Sequence, residues 1–334
     1  MTKQFGLGLI ELLIAMALSL VLMLGILQVF IGNQKSFALM RDMGNLQENG
    51  RVAISLIAES VRTADHWGGL DARQVDIGVM ALSASPGACN AAWVFDRLDG
   101  VRGYDGGAQV GDIADLPVDC ISKNDYVAKS DLLMLRYADG RSLASDADIG
   151  LSRRKKQYFV RLTTGLSAYV FKGLNSDEAI ARIPYIAGTY NMEYRVELYF
   201  LRPCNFKVRS KCLAGLPTLT RLTLSGDKFT QQALVEGVEQ LQFDYGVDTN
   251  NDKKVDVYQG ANMVVDWASV MSVRINLISR SLDIDTAINE MGREYLMLGD
   301  MAQTGQGHSI SSENKNYHHK QYQREIYIRN RERL

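Results

Sequence analysis

Glu11 is the residue with the most chemical consequence in this chain. It is a single acid inside an apolar run that extends from Leu7 to Ile31. A carboxylate at mid-bilayer costs about 2.5–3.5 kcal/mol on insertion scales, so a neutralising partner is expected. A second set of oxygens sits at Asp248, Asn250, Asp252 and Asp256, with the Lys254 carbonyl between them. Their spacing is that of a calcium loop, although Lys253 stands where such a loop uses glycine and Gln259 where it uses glutamate. The same residues also suit an acidic turn between strands at 241–247 and 255–258, where Asn and Asp are favoured for turn geometry alone. A weak calcium site is the only cofactor this suggests, and nothing in the chain requires one.

Four cysteines are present, Cys89, Cys120, Cys204 and Cys212. Three pairings are open to them. Proximity favours Cys89 with Cys120 and Cys204 with Cys212, each closing a loop and constraining the unfolded chain. No CxxC spacing occurs, which argues against zinc and thioredoxin-like chemistry. The run Arg153-Arg154-Lys155-Lys156 reads as a solvated loop ahead of a strand rather than a nucleic-acid site, and the net charge of −1 gives no wider case for one. His318-His319 lacks the partner spacing of a metal motif, and Gly305-Gln306-Gly307 has no strand before it. No nucleophile, base and oxyanion donor assemble, so an enzyme is not expected.

The elements that must position these residues follow from periodicity. Leu12 to Ile31 is 20 residues, about 30 Å of helix at roughly 1.5 Å each, the thickness of a bilayer core. An ordinary secretory signal has a shorter core and a small-residue cleavage site, and neither fits well. Beyond Ile31 the chain stays helical but becomes amphipathic: Phe37, Met40, Leu46, Ala53, Ile54, Ile57 and Val61 recur mostly at three- and four-residue steps. No proline interrupts Leu7 to Ala64, and Gly25, Gly32, Gly44 and Gly50 are its weak points. One helix of about 58 residues and roughly 87 Å is expected, ended by Trp67-Gly68-Gly69. From Leu70 the period switches to two. Alternation over 194–200, 241–247 and 273–277 predicts strands with one buried face each, with further strands at 131–137, 157–162, 168–172, 219–224 and 324–329. With few helices between them the sheet should be mostly antiparallel. Residues 99–112 and 302–320 are expected to be loops. The fold class is therefore α+β: a long N-terminal helix, then a large antiparallel head with long loops. The divisions are 1–6, 7–64 (with about 7–31 in the membrane) and 65–334.

The stretch Gly6-Leu7-Gly8-Leu9-Ile10-Glu11-Leu12-Leu13-Ile14-Ala15 resembles the class III signal of type IV prepilins, a short basic leader, Gly, and Glu at the fifth mature position. Downstream, residues 46–51, 60–62 and 66–68, then 234–239 leading into 243–248, Trp267 with 273–275, and a terminal strand at 324–330 are similar to the minor pilin family PilW. Gly69 stands where that resemblance leads one to expect a cysteine. The resemblance implies cleavage between Gly6 and Leu7 by a prepilin peptidase. The freed Leu7 amine of one subunit would then meet Glu11 of its neighbour, since a paired charge in lipid or a packed filament core costs far less than a bare one. It further implies an inner-membrane subunit with a periplasmic head. Such a subunit joins other minor pilins and the major pilin in a priming and tip complex, often with a large tip adhesin. Adhesion, twitching motility and DNA uptake follow from the pilus. The nearest alternative is a large minor pseudopilin of a type II secretion system. A tethered periplasmic binding module is more distant, because a plain anchor has no need of Glu11.

Overall fold

The computed structural model describes residues 8–78, 89, 91–117, 120–151, 154–208, 211–212, 215–226, 228–297 and 307–331. The chain divides into two compact units, Met1–Asn45 and Leu46–Leu334. One helix, Leu9–Thr63, contributes to both. No proline lies within it, and the four glycines do not interrupt it.

The helix stops earlier than the Trp67-Gly68-Gly69 expectation, and for a different reason. Asp65 takes a left-handed backbone, φ 59°. That conformation cannot continue a right-handed helix and is tolerated by Asp more readily than by most residues. Two side chains hold it there: Trp67 Nε1 donates to its Oδ1 at 2.8 Å and Arg331 Nε to its Oδ2 at 2.7 Å.

In chain order the strands are β1 (Val75–Ile77), β2 (Val101–Tyr104), β3 (Leu132–Ala144), β4 (Tyr158–Thr163), β5 (Ser167–Lys172), β6 (Thr189–Arg202), β7 (Lys207–Val208), β8 (Lys211–Cys212), β9 (Thr218–Ser225), β10 (Lys228–Glu236), β11 (Val238–Val247), β12 (Val257–Gln259), β13 (Val270–Arg280), β14 (Glu294–Tyr295), β15 (His308–Ser309) and β16 (His319–Tyr327). The larger sheet has eight strands, β1-β5-β4-β6-β3-β2 with β9 and β10 branching from β6. Strand β6 is the hub. Residues 189–193 pair with β4 and residues 197–202 with β9, while β3 runs along the opposite edge. Only β1 and β5 pair in parallel among these neighbours. The second sheet is β12-β11-β13-β16, all antiparallel. β7–β8 and β14–β15 form two small hairpin-like pairs.

The expectation of one buried face per strand does not hold for β6, β11 and β13, which are covered on both faces. In β3, Leu133 and Leu135 enter one core while Leu132 and Met134 enter another, as a period-two strand requires when both faces are covered. β6 divides the same way, Tyr199 and Leu201 on one side and Tyr194, Val196, Leu198 and Phe200 on the other. The first core joins Ala53, Ile57 and Val61 of the helix to Leu241, Phe243, Val273, Ile275 and Leu277 of the smaller sheet. In β11 the polar face is buried too. Gln240 and Gln242 donate to the Lys129 carbonyl at 3.2 and 2.6 Å, and Asp244 accepts from Asn276 at 3.1 Å, so burial leaves these groups paired.

Two loop expectations need correction. β2 lies inside 99–112, where buried Val101 and Tyr104 pair with β3. The described part of 302–320 is built rather than loose. β15 pairs with β14, and Tyr317 and Asn314 amides close turns on Asn314 and Ser311 carbonyls. Residues 302–306 lie outside the described residues.

Candidate functional site

In the N-terminal unit every residue from Gly8 to Arg41 is exposed. The apolar side chains are bare on all sides: Leu9 is 80% exposed, Leu22 68% and Ile26 69%. A helix apolar all round is stable only in an apolar environment, and this one is long and apolar enough to cross a membrane by length and composition. The fit is that of a membrane anchor. Within it, Glu11 Oε2 accepts the Gly8 amide at 3.0 Å. That is the reach-back half of a capping box, an acid at the third helical position serving the cap amide, and the helix N-terminus favours its charge. Oε1 has no partner among the described residues. Gly6 and Leu7, the expected processing pair, lie outside the described residues.

Residues 46–63 of the same helix present a stripe, Leu46, Gly50, Ala53, Ile54, Ile57, Ala58 and Val61, that is buried in the head. Polar contacts fix its register. The Ser60 and Tyr199 hydroxyls share a bond of 2.8 Å, and Asn49 donates to the Glu236 carbonyl at 3.2 Å. The C-terminal strand completes the seat: Tyr322 donates to the Leu46 carbonyl at 3.1 Å and Asn330 to the Ala64 carbonyl at 2.8 Å. Gly50 is required here, because an added Cβ would meet Tyr322 Cε2 at 2.3 Å.

The loop after β11 uses its oxygens on itself. Asp248 Oδ1 accepts the amides of Asn250 and Asn251 at 3.2 and 2.6 Å, and Oδ2 that of Lys253 at 2.7 Å. Asn250 Oδ1 accepts the Asp252 amide, and Asp252 Oδ1 the Lys254 amide, each at 2.9 Å. Asp256 accepts both the hydroxyl and the amide of Thr249, which hold its carboxyl below the ordinary range. Asn251 and Lys253 take left-handed backbones, φ 64° and 65°. These are Asx-turn contacts, and they close the turn without an ion. Among the described residues no group of three or more His, Cys, Asp or Glu side chains is placed to hold a metal ion. These oxygens serve the loop's own amides, and no step is assigned to an ion here.

The cysteines pair as proximity favoured, Cys89 with Cys120 and Cys204 with Cys212, at Cα separations of 4.6 and 5.4 Å. Of the basic run, Arg154 lies with its guanidinium 5.9 Å from the Phe159 ring, and Arg153 is outside the described residues. His318 and His319 do not act together. His318 faces Asp285 at 3.2 Å. His319 is buried between two acids, Nε2 to Glu239 at 2.9 Å and Nδ1 to Glu290 at 2.7 Å. Burial opposes ionisation of Glu239, but the His308 ring at 3.5 Å and hydrogen bonds from His319 and Asn314 outweigh it and hold the carboxyl at about 2. Beyond the His pair itself, nothing in the residue pattern signals this cluster.

Residues 206–330, which contain β7 to β16, match the family model described as PilW, type IV pilus-assembly protein W, a little over a third of the chain. No curated protein matches the sequence. Among solved structures, a type IV-like pilin from Thermus thermophilus is similar at 9% identity with a TM-score of 0.38, over 85% of this chain and 96% of that one. The similarity over residues 206–330 is to the PilW family of type IV pilus-assembly proteins, and it is confined to the C-terminal part of the head.

Proposed function

We propose that the chain is a membrane-anchored minor pilin, matured by cleavage after Gly6, that joins other minor pilins in a complex priming type IV pilus assembly and remaining at the tip. The observation that carries this reading is Glu11: an acid whose local partner is one backbone amide, on a helix with no buried side chain between Gly8 and Arg41. Such a surface calls for lipid first and other helices later. In a bundle of like helices the Leu7 amine of one subunit lies within reach of Glu11 on the next, and the paired charge removes most of the insertion cost.

The test is the N-terminal residue of the mature protein from cells. Leu7 is expected; mature material that begins at Met1 refutes the reading. Gly6→Trp should leave the precursor uncut. Glu11→Ala should be cut normally and yet fail to support piliation, and full piliation by that variant refutes the pairing role.

A further inference from the structure

A pocket of about 280 Å³ opens beside the end of the long helix, between residues 62–66, β3 and the segment after β16. We propose that this pocket binds a phosphate group, held by Arg62 and Arg329 with Tyr137 as its inner donor. This site is independent of the assembly reading above.

Charge comes first. Three arginines line the pocket, Arg62, Arg141 and Arg329. Arg141 is committed: it pairs with Glu59 at 2.5 Å and with Asp139 at 3.2 Å. Arg62 and Arg329 have no ion pair, hydrogen bond or ring contact among the described residues. Asp139, the acid in the wall, is shared by Arg141 and Arg195 and does not offset them. Two arginines of the pocket wall thus carry no counter-charge among the described residues. Their fixed N–H forks suit oxyanions.

Tyr137 supplies a second, separate observation. The residue is 2% exposed, yet it lines the cavity, and its hydroxyl has no hydrogen-bond partner among the described residues. The hydroxyl is open to the cavity and free to donate to an occupant there. His66 is pre-set as well. Its Nδ1 donates to the Ala138 carbonyl at 2.8 Å, which turns the Cε1–Nε2 edge toward Gly140 and the pocket.

A helix C-terminus ordinarily repels anions. Here Asn330 Nδ2 covers the Thr63 and Ala64 carbonyls at 3.4 and 2.8 Å, so the pocket meets an amide rather than bare oxygens. Phosphate fits better than a carboxylate on two counts. Two unpaired cations match a dianion, and donors arriving from the helix end, from β3 and from the C-terminal segment match a tetrahedral group with several acceptor oxygens.

The experiment is titration of the full chain in detergent micelles with inorganic phosphate, read by calorimetry, with glycerol 1-phosphate, succinate and chloride as further arms. Phosphate should bind. Arg62→Gln and Arg329→Gln should each weaken it about tenfold. Tyr137→Phe should weaken it several-fold with an unchanged melting curve, and Gly140→Leu should block it sterically with every charge in place. Arg73→Gln, away from this pocket, should leave binding unchanged. Equal binding of glycerol 1-phosphate points to a phosphomonoester on a larger molecule, and rejection of it points to the free ion; either supports the site. Absence of phosphate binding, binding indifferent to Arg62→Gln and Arg329→Gln, or equal binding of succinate or chloride overturns it.

Discussion

The exposed part of the helix and the head differ in what each does with apolar side chains. From Gly8 to Arg41 none is buried; from Leu46 to Val61 a stripe is, and its neighbours on the other faces are polar. The first stretch is apolar in every direction and so specifies a surrounding. The second is apolar in one direction and so specifies a partner surface. One continuous helix therefore carries two kinds of instruction, and stability of the head should depend only on the second.

Ile57→Ala should show the contrast most strongly. Ile57 is fully buried in the core between helix and sheets, so its truncation should cost about 2–5 kcal/mol in urea unfolding of the full chain in micelles. Leu20→Ala, at a site 62% exposed, should leave the same transition where it was. Equal effects would break the distinction. Acid should separate the regions next. Glu239 is held at about 2 against an ordinary 4.5, so its folded form binds fewer protons than the unfolded chain. Its contribution is present above pH 4.5 and is lost as pH falls from there towards 2, about 3 kcal/mol in all. Glu239→Gln should flatten that part of the head's pH profile. Gly50→Val should cost about 1–3 kcal/mol by driving into Tyr322. Asp248→Ala should cost about 1–2 kcal/mol through its orphaned loop amides, to the same extent in calcium as in chelator. A calcium-dependent melting temperature in the parent that Asp248→Ala abolishes would restore the ion to this loop. Smallest, and opposite in sign, Gly25→Ala meets nothing within 4 Å and should raise helix stability by about 0.5–1 kcal/mol.

How much of this could be read in the residues varied with the reach of each interaction. The helix was legible almost to its ends, because Ala53, Ile54, Ile57 and Val61 repeat at helical steps within one segment. Its stop was placed within a residue, but its cause was not: Gly68 and Gly69 drew attention, whereas Asp65 turns the chain with help from Arg331, 266 residues away. Strands with alternating apolar residues, β6, β11 and β13, were visible. β10 was not, since Thr230, Gln231 and Gln232 are exposed and carry no apolar alternation. β2 was hidden inside a Gly- and Asp-rich stretch whose two large apolar residues are too few to set a period. The calcium reading came from spacing alone, which does not say whether an oxygen points at an ion or at its own backbone. The acids around His319 lie 80 and 29 residues from it, so only the fold could bring them together. The phosphate pocket was silent for the same reason: Arg62, Tyr137 and Arg329 meet through three separate elements.

The seat of the helix on the C-terminal strand sets a schedule for folding. Tyr322 reaches Leu46 across 276 residues of chain. At roughly 5–20 residues per second, about 15–55 s pass between synthesis of one and synthesis of the other. Until then the Leu46–Val61 stripe lacks part of its cover. A newly made chain is therefore most vulnerable to aggregation and proteolysis before that strand is made, and a holding chaperone would act best on those residues before their last cover arrives.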